Sequence, residues 1–265
     1  MPTANAERIP DADGSIPILS FRNAGLTYPG SREASLSNVS FEAFRGQTIG
    51  IIGDTGSGKT SLVSLIPRFY DATEGSVLFH GLDVKRCDRA NLRSRIGIVP
   101  QQAVLFRGTI RENLLMGNEN ASDADCLEAM ELAQAAELVP EGAQALVRGI
   151  EQGGRNLSGG QRQRLTIARA LVRRPELLIL DDSFSALDFA TDARLRKAIA
   201  SLRDRMTVII VSQRVSSIAN ADRILVIDEG MVVGDGTHEK LVESCPMYRE
   251  LYALQCPETL EGGER

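Results

Sequence analysis

Gly53-Asp54-Thr55-Gly56-Ser57-Gly58-Lys59-Thr60 is the stretch whose reading decides the fold. It satisfies G-x-x-x-x-G-K-[ST] in full, and its residue types suit one task. Glycines let backbone N–H groups curl around phosphates, Lys59 supplies a point charge, and the Thr60 hydroxyl can ligate Mg2+. The flanks agree with the motif: Thr48-Ile49-Gly50-Ile51-Ile52 reads as a short buried strand, and Lys59 to Phe69 reads as a helix. Candidate contacts to a nucleotide are therefore Gly53, Asp54, Thr55, Gly56, Ser57, Gly58, Lys59, Thr60 and the adjoining Ser61.

Further along, Leu178-Ile179-Leu180-Asp181 is an apolar strand that ends in a carboxylate. Downstream of a phosphate loop, such a strand is expected beside it at the C-terminal sheet edge, with Asp181 binding the magnesium through water. A second glycine motif, Leu157-Ser158-Gly159-Gly160-Gln161, lies between the two. Ser158 can cap the helix that follows, and the two glycines bare backbone N–H groups at its positive end, which makes an anion site. One nucleotide triphosphate needs only one phosphate loop, so this second motif requires its own explanation.

The rest of the chain sets the frame. From Ile18 to Thr48, segments rich in Phe, Val, Ile and Thr are broken by Gly25, Pro29-Gly30 and Arg45-Gly46, which predicts an antiparallel β region. Between Thr109 and Ala136 the pattern is helical, with Ser122 as an N-cap and Asp123 and Asp125 in the first turn. Gln161 to Val172 reads as an amphipathic basic helix. Strands and helices then alternate over Leu177–Asp181, Asp192–Leu202, Met206–Val211 and Ile224–Asp228, the rhythm of a largely parallel sheet. The expected class is α/β: a P-loop NTPase core with a mostly parallel sheet, an N-terminal antiparallel β subdomain, and a helical subdomain at about 103–172 that carries the second glycine motif.

Bulk properties exclude several functions. With 30 basic against 35 acidic residues and a formal charge of −5, there is no electrostatic reason to expect nucleic acid or anionic lipid as the main partner. Cys87, Cys126, Cys245 and Cys256 are far apart with no C-x-x-C spacing, which fits the reducing cytosol and neither a disulfide framework nor a zinc site. No apolar run approaches the ~18 residues of a bilayer span, so the chain itself is expected to be soluble. The polar, acidic segment 1–15 lacks the features of a signal peptide and reads as a flexible lead-in or linker remnant. Residues 16–256 form the nucleotide-binding domain in this reading, and 257–265 a disordered tail.

These motifs, in this order, resemble the ATP-binding cassette (ABC) family over roughly Ile18 to Gln255. The resemblance implies further roles. Tyr28 matches the aromatic that stacks on adenine. Gln101, in Val99-Pro100-Gln101-Gln102, matches the glutamine that touches magnesium, and Ser185-Ala186-Leu187-Asp188 matches the loop that ends in Asp188. In this family two cassettes pair head to tail, and each ATP lies between one chain's phosphate loop and the other chain's Leu-Ser-Gly-Gly-Gln signature. That accounts for the second glycine motif. The stretches Val104 to Asn113 and Gly236 to Leu241 look like those of exporters, whose membrane domain is fused or separate, and Glu151-Gln152-Gly153-Gly154 fits the exporter pattern loosely. Such a cassette works at the cytoplasmic face of the cell membrane with ATP and Mg2+.

Two positions depart from the family pattern. The general base is a Glu directly after the magnesium Asp, but here it is Asp182, one methylene shorter. A misplacement of ~1 Å can cost about a hundredfold when water must be held in line with phosphorus. The second is Gln213, in Val211-Ser212-Gln213-Arg214, where the family has a His at the γ-phosphate; Gln can hydrogen-bond but cannot become an imidazolium. The leading expectation is a degenerate-site subunit of a heterodimeric exporter, with Lys59, Asp182 and Gln213 at its own slow site and a partner that has the Glu and the His. The alternatives are a fully active homodimeric exporter cassette and a soluble regulatory ABC ATPase. His80 and His238 fall outside the motifs and are expected at the surface.

Overall fold

The computed structural model describes residues 7–10 and 14–255. In chain order the elements are β1 (Leu19–Leu26), β2 (Leu36–Ala43), β3 (Thr48–Ile52), α1 (Lys59–Leu65), β4 (Glu74–Phe79), β5 (Leu82–Asp83), α2 (Arg89–Ser94), β6 (Ile96–Val99), β7 (Gly108–Thr109), α3 (Ile110–Leu115), α4 (Asp123–Leu132), β8 (Gly149–Ile150), α5 (Gly159–Leu171), β9 (Leu177–Asp181), α6 (Phe189–Ala200), β10 (Thr207–Val211), α7 (Val215–Ile218), β11 (Arg223–Asp228), β12 (Met231–Gly236), α8 (His238–Ser244) and α9 (Pro246–Gln255). They fall into two compact units, Met1–Arg93 with Thr207–Arg265, and Ser94–Met206.

The first unit holds an antiparallel sheet in the order β2-β1-β4-β5. Phe21 stacks on Phe41 across the β1–β2 pair at 4.7 Å, an aromatic cross-strand contact that helps fix the register. Beside it in sequence, β3 is flanked in parallel by β10 and β11, and β12 adds antiparallel to β11. Ile49, Ile51 and Ile52 are fully buried, so β3 reads as a continuous apolar run and not as an alternation. Ile51 pairs with both Val211 and Leu225. The phosphate loop and the Ser212–Gln213 segment therefore leave the same edge of this sheet.

Helix α1 stops at Leu65, four residues short of the sequence expectation. Pro67 cannot donate the N–H that would continue the ladder, and the chain turns over Ile66 to Tyr70.

The second unit contains the parallel pair β6–β9, in register from Ile96↔Leu177 to Val99↔Leu180. It also holds the antiparallel β7–β8 pair, which closes the segment containing α3 and α4, and α3 to α6. The stretch expected to be helical contributes α3, α4 and α5, each opened by a capping box: Thr109 with Glu112, Ser122 with Asp125, and Ser158 with Gln161. Each box satisfies two orphan backbone donors and is worth about 1 kcal/mol. Helix α5 buries Leu165, Ile167, Ala168 and Leu171.

His80 is not at the surface. It is 4% exposed, has a positive φ of 50°, and sits edge-on to Phe79 while its N–H bonds Ile18 O. The tight reversal between β4 and β5 turns this ring inward. His238 is half-buried, with Nδ1 2.8 Å from the Tyr248 hydroxyl. Within the expected lead-in, Glu7 bridges to Cys87 and pairs with Arg86, and the Ile9 N–H bonds Asn91 Oδ1. Residues 1–6, 11–13 and the tail from Cys256 onward lie outside the described residues. Cys87, Cys126 and Cys245 are buried free thiols, and burial pushes Cys87 up to about 11. Among the described residues no helix is long and apolar enough to cross a membrane.

Candidate functional site

The loop after β3 is shaped by two glycines. Gly53 has φ +156°, and a Cβ there would lie 2.0 Å from Ile227 O; Gly58 has φ +105°, and its Cβ would lie 2.8 Å from Ser35 O. Any L side chain at either position meets fixed backbone, so the loop can close only with glycine. Lys59 is 8% exposed, and its Nζ donates to Gly53 O at 2.7 Å, Asp54 O at 2.6 Å and Ser57 Oγ at 3.3 Å. Ser57 O in turn accepts from the Gly230 N–H at 3.0 Å. The loop is thus fixed from inside by its own lysine and from outside by the β11–β12 turn.

The cradle suits a phosphate chain. Asp54, Thr55 and Gly56 are exposed, and nothing lies within 4 Å of a Cβ built on Gly56. Helix α1 starts on Gly58, which has no side chain to cap it, and no acidic residue stands in its first turn, so the positive end of the helix carries no negative charge of its own. Thr60 is exposed at this end. Tyr28 donates its hydroxyl to Ser61 Oγ at 2.9 Å and stands edge-on to Tyr70, which ties the candidate adenine-stacking ring to α1.

Gln213 follows β10 and is exposed. Its carbonyl accepts from Gln255 Nε2 at 2.7 Å, and the Val215 N–H donates to Gln255 Oε1 at 2.8 Å. Sequence reading missed Gln255 because nothing in local spacing links it to a loop 40 positions earlier.

In the second unit, the parallel register of β6 and β9 brings Gln101 and the Asp181-Asp182 pair to one strand end. Asp181 is 9% exposed. Asp182 has a positive φ of 46°, which Asp tolerates better than most residues, and its Oδ2 accepts from Gln101 Nε2 at 3.2 Å. Ser183, fully buried, donates its hydroxyl to Val99 O at 3.0 Å and so pins the segment after Asp182 to the end of β6. The sequence carried no signal for this brace. The Asp181 carboxylate and the Gln101 amide oxygen are hard oxygen donors of the kind that Mg2+ takes.

The second glycine motif is built differently. The Gln161 N–H donates to Ser158 Oγ at 3.2 Å, and the Ser158 N–H donates to Gln161 Oε1 at 3.0 Å, so both side chains cap α5. A Cβ on Gly159 would meet nothing closer than Arg162 Nη2 at 3.9 Å. On Gly160 the nearest atoms would be Ala186 O at 3.6 Å and Leu187 Cδ2 at 3.7 Å. Packing within the chain demands neither glycine. The same distances place the start of α5 against the Ser185–Asp188 loop. Asp188 caps α6, and the Thr191 N–H, then the Thr191 hydroxyl, hold its carboxyl below the usual carboxylate range.

A family model described as ABC transporter matches residues 36–185, more than half of the chain. An uncharacterized ABC transporter ATP-binding protein of Mycobacterium tuberculosis is 43% identical over 254 residues, which cover 95% of this chain and 43% of the relative. An ATP-dependent lipid A-core flippase of Haemophilus ducreyi is 39% identical over 91% of this chain and 41% of its own length. Among solved structures, a bacterial Atm1-family ABC exporter with ATP bound superimposes with a TM-score of 0.88 at 34% identity, over 96% of this chain and 44% of that one. The chain spans less than half the length of these relatives.

Proposed function

The chain belongs to the ABC transporter family as a nucleotide-binding domain of exporter type, and on that premise we propose that it is the slow-site cassette of a two-cassette exporter. In this reading Gly53 to Ser61 grip the phosphates of ATP, and Lys59 moves from the loop carbonyls to the nucleotide. Tyr28 stacks on the base. Thr60, Gln101 and Asp181 would hold Mg2+, which would supply charge neutralisation to the phosphates.

Asp182 is assigned to orient and deprotonate the attacking water. Its carboxylate is one methylene shorter than Glu, and one oxygen already accepts from Gln101. Gln213 contributes a neutral amide toward the γ-phosphate. Both features favour a site that holds ATP and splits it slowly.

Ser158, Gly159, Gly160 and Gln161, together with Asp188, are assigned to the nucleotide held by a second cassette. One observation carries this assignment: a Cβ on either glycine would make only ordinary van der Waals contacts inside the chain, at 3.6 Å or more, so their lack of side chains makes sense as room for something outside it. Ser158, Gln161 and Asp188 cap the helices that present this surface. The partner is then a different chain that has the Glu and the His, because a homodimer would contain two slow sites. A membrane domain, fused or separate, couples the pair to transport at the cytoplasmic face of the membrane, with no role for nucleic acid.

The test restores the two positions. Purified chain carrying Asp182→Glu with Gln213→His should hydrolyse ATP about a hundredfold faster than the parent at saturating ATP, with the dissociation constant for ATP changed less than about twofold. A parent chain that already turns over at tens per second, an ordinary enzyme rate, would instead establish a fully active homodimeric cassette.

A further inference from the structure

Helix α7 begins one residue beyond Gln213, after its N-cap residue Arg214, which gives it no side-chain cap. The missing acceptor comes from the far end of the domain. Gln255, in the last turn of α9, accepts from the Val215 N–H through Oε1 at 2.8 Å and donates from Nε2 to Gln213 O at 2.7 Å. One side-chain amide thus spans the Gln213–Val215 segment on both sides of Arg214, using donor and acceptor at once. The frame on which Gln255 rides is firm: Tyr248, earlier in the same helix α9, is fully buried, and its hydroxyl meets His238 Nδ1. At the other side, Val215 and Ile218 of α7 are buried, and the Ser212 N–H bonds Ile51 O at the end of β3. Between these two fixed supports the exposed Gln213 side chain has only its backbone position to aim it.

We infer that Gln255 is a positioning residue for Gln213: it clamps the backbone on both sides of that loop so that α9 sets where the Gln213 amide points. The inference rests on the assignment of Gln213 to the γ-phosphate and goes beyond it, since it makes the terminal helix part of how the site distinguishes ATP from ADP. Gln255 itself touches no nucleotide.

Two variants separate its two bonds. Gln255→Met keeps length and helix preference but removes both, whereas Gln255→Glu keeps the acceptor for Val215 and loses the donor to Gln213. The probes are amide hydrogen exchange at Val215 and the dissociation constants for ATP and ADP with Mg2+ on the purified chain. In Gln255→Met, exchange at Val215 should rise about tenfold, the scale of one hydrogen bond, and the preference for ATP over ADP should fall several-fold while ADP affinity holds. In Gln255→Glu, Val215 should stay protected and the ATP preference should still fall. Unchanged exchange at Val215 in Gln255→Met, or faster exchange with an unmoved ATP-to-ADP ratio, would overturn the inference. A parent that binds no ATP would sink the nucleotide reading instead, and exchange at Val215 would still decide whether Gln255 holds the loop.

Discussion

The two glycine motifs of this chain look alike in sequence and differ in what their glycines are for. In Gly53 to Thr60 the chain needs them itself: backbone oxygens of Ile227 and Ser35 stand where a Cβ would go, and both φ values are positive. In Leu157 to Gln161 the glycines occupy the first turn of an ordinary capped helix, with a Cβ's worth of free space on each. A glycine forced by internal geometry is explained by the fold, whereas the glycines at the start of α5 are not, and the proposal assigns them to a neighbour. The contrast fits the proposal that the first motif builds its own site and the second completes another.

The contrast predicts unequal responses to the same small change. Gly53→Ala should destabilise the chain by about 3 kcal/mol or more, because strain and overlap with fixed backbone add. Gly160→Ala should leave stability within about 0.5 kcal/mol of the parent and act only on turnover in the paired assembly. Denaturant melts of the two variants decide the matter, and equal losses would break the distinction. Ser158→Ala should have an intermediate effect, about 1 kcal/mol for the lost cap, since that residue shapes the helix end that the glycines leave open. A melt that shows no loss would mean that Gln161 alone sustains the cap.

The smallest expected effect concerns pH at Asp188. Its folded carboxyl is held low by Thr191, so the stabilisation is present above the unfolded carboxylate pKa and is lost as pH falls through the folded value. Asp188→Asn, an equally good cap residue, should therefore show less loss of Tm than the parent between about pH 5 and about pH 2. Identical Tm profiles would exclude a pH-linked role for this cap.

Legibility in the sequence followed the range over which each feature is determined. β3 and β9 were visible because strands buried on both faces become short unbroken apolar runs, and the Ser122 cap of α4 lies next to the residues it serves. β12, α8 and α9 were not read from the sequence: β12 buries no residue, α8 buries only Leu241 and α9 only Tyr248, so none contributes the buried apolar run that marks β3 and β9. The inward turn of His80 depends on a backbone reversal that its neighbours in sequence do not announce. Within the site, contiguous spacing revealed the phosphate loop, the carboxylate pair and the second glycine motif. The Ser183 brace to Val99 and the Gln255 clamp on Val215 join residues 84 and 40 positions apart, and no local pattern encodes such pairs.

The division of labour between the two motifs is open to one direct measurement. Chain carrying Asp182→Glu, Gln213→His and Gly160→Glu has a restored own site and a spoiled second motif, whereas the parent has the reverse. Each alone should hydrolyse ATP slowly. Mixed in equal amounts, they should turn over far faster than the sum of the two, because the restored site of one then meets the intact Ser158–Gln161 of the other. A mixture no faster than the sum, while chain with only Asp182→Glu and Gln213→His is fast, would contradict action in trans.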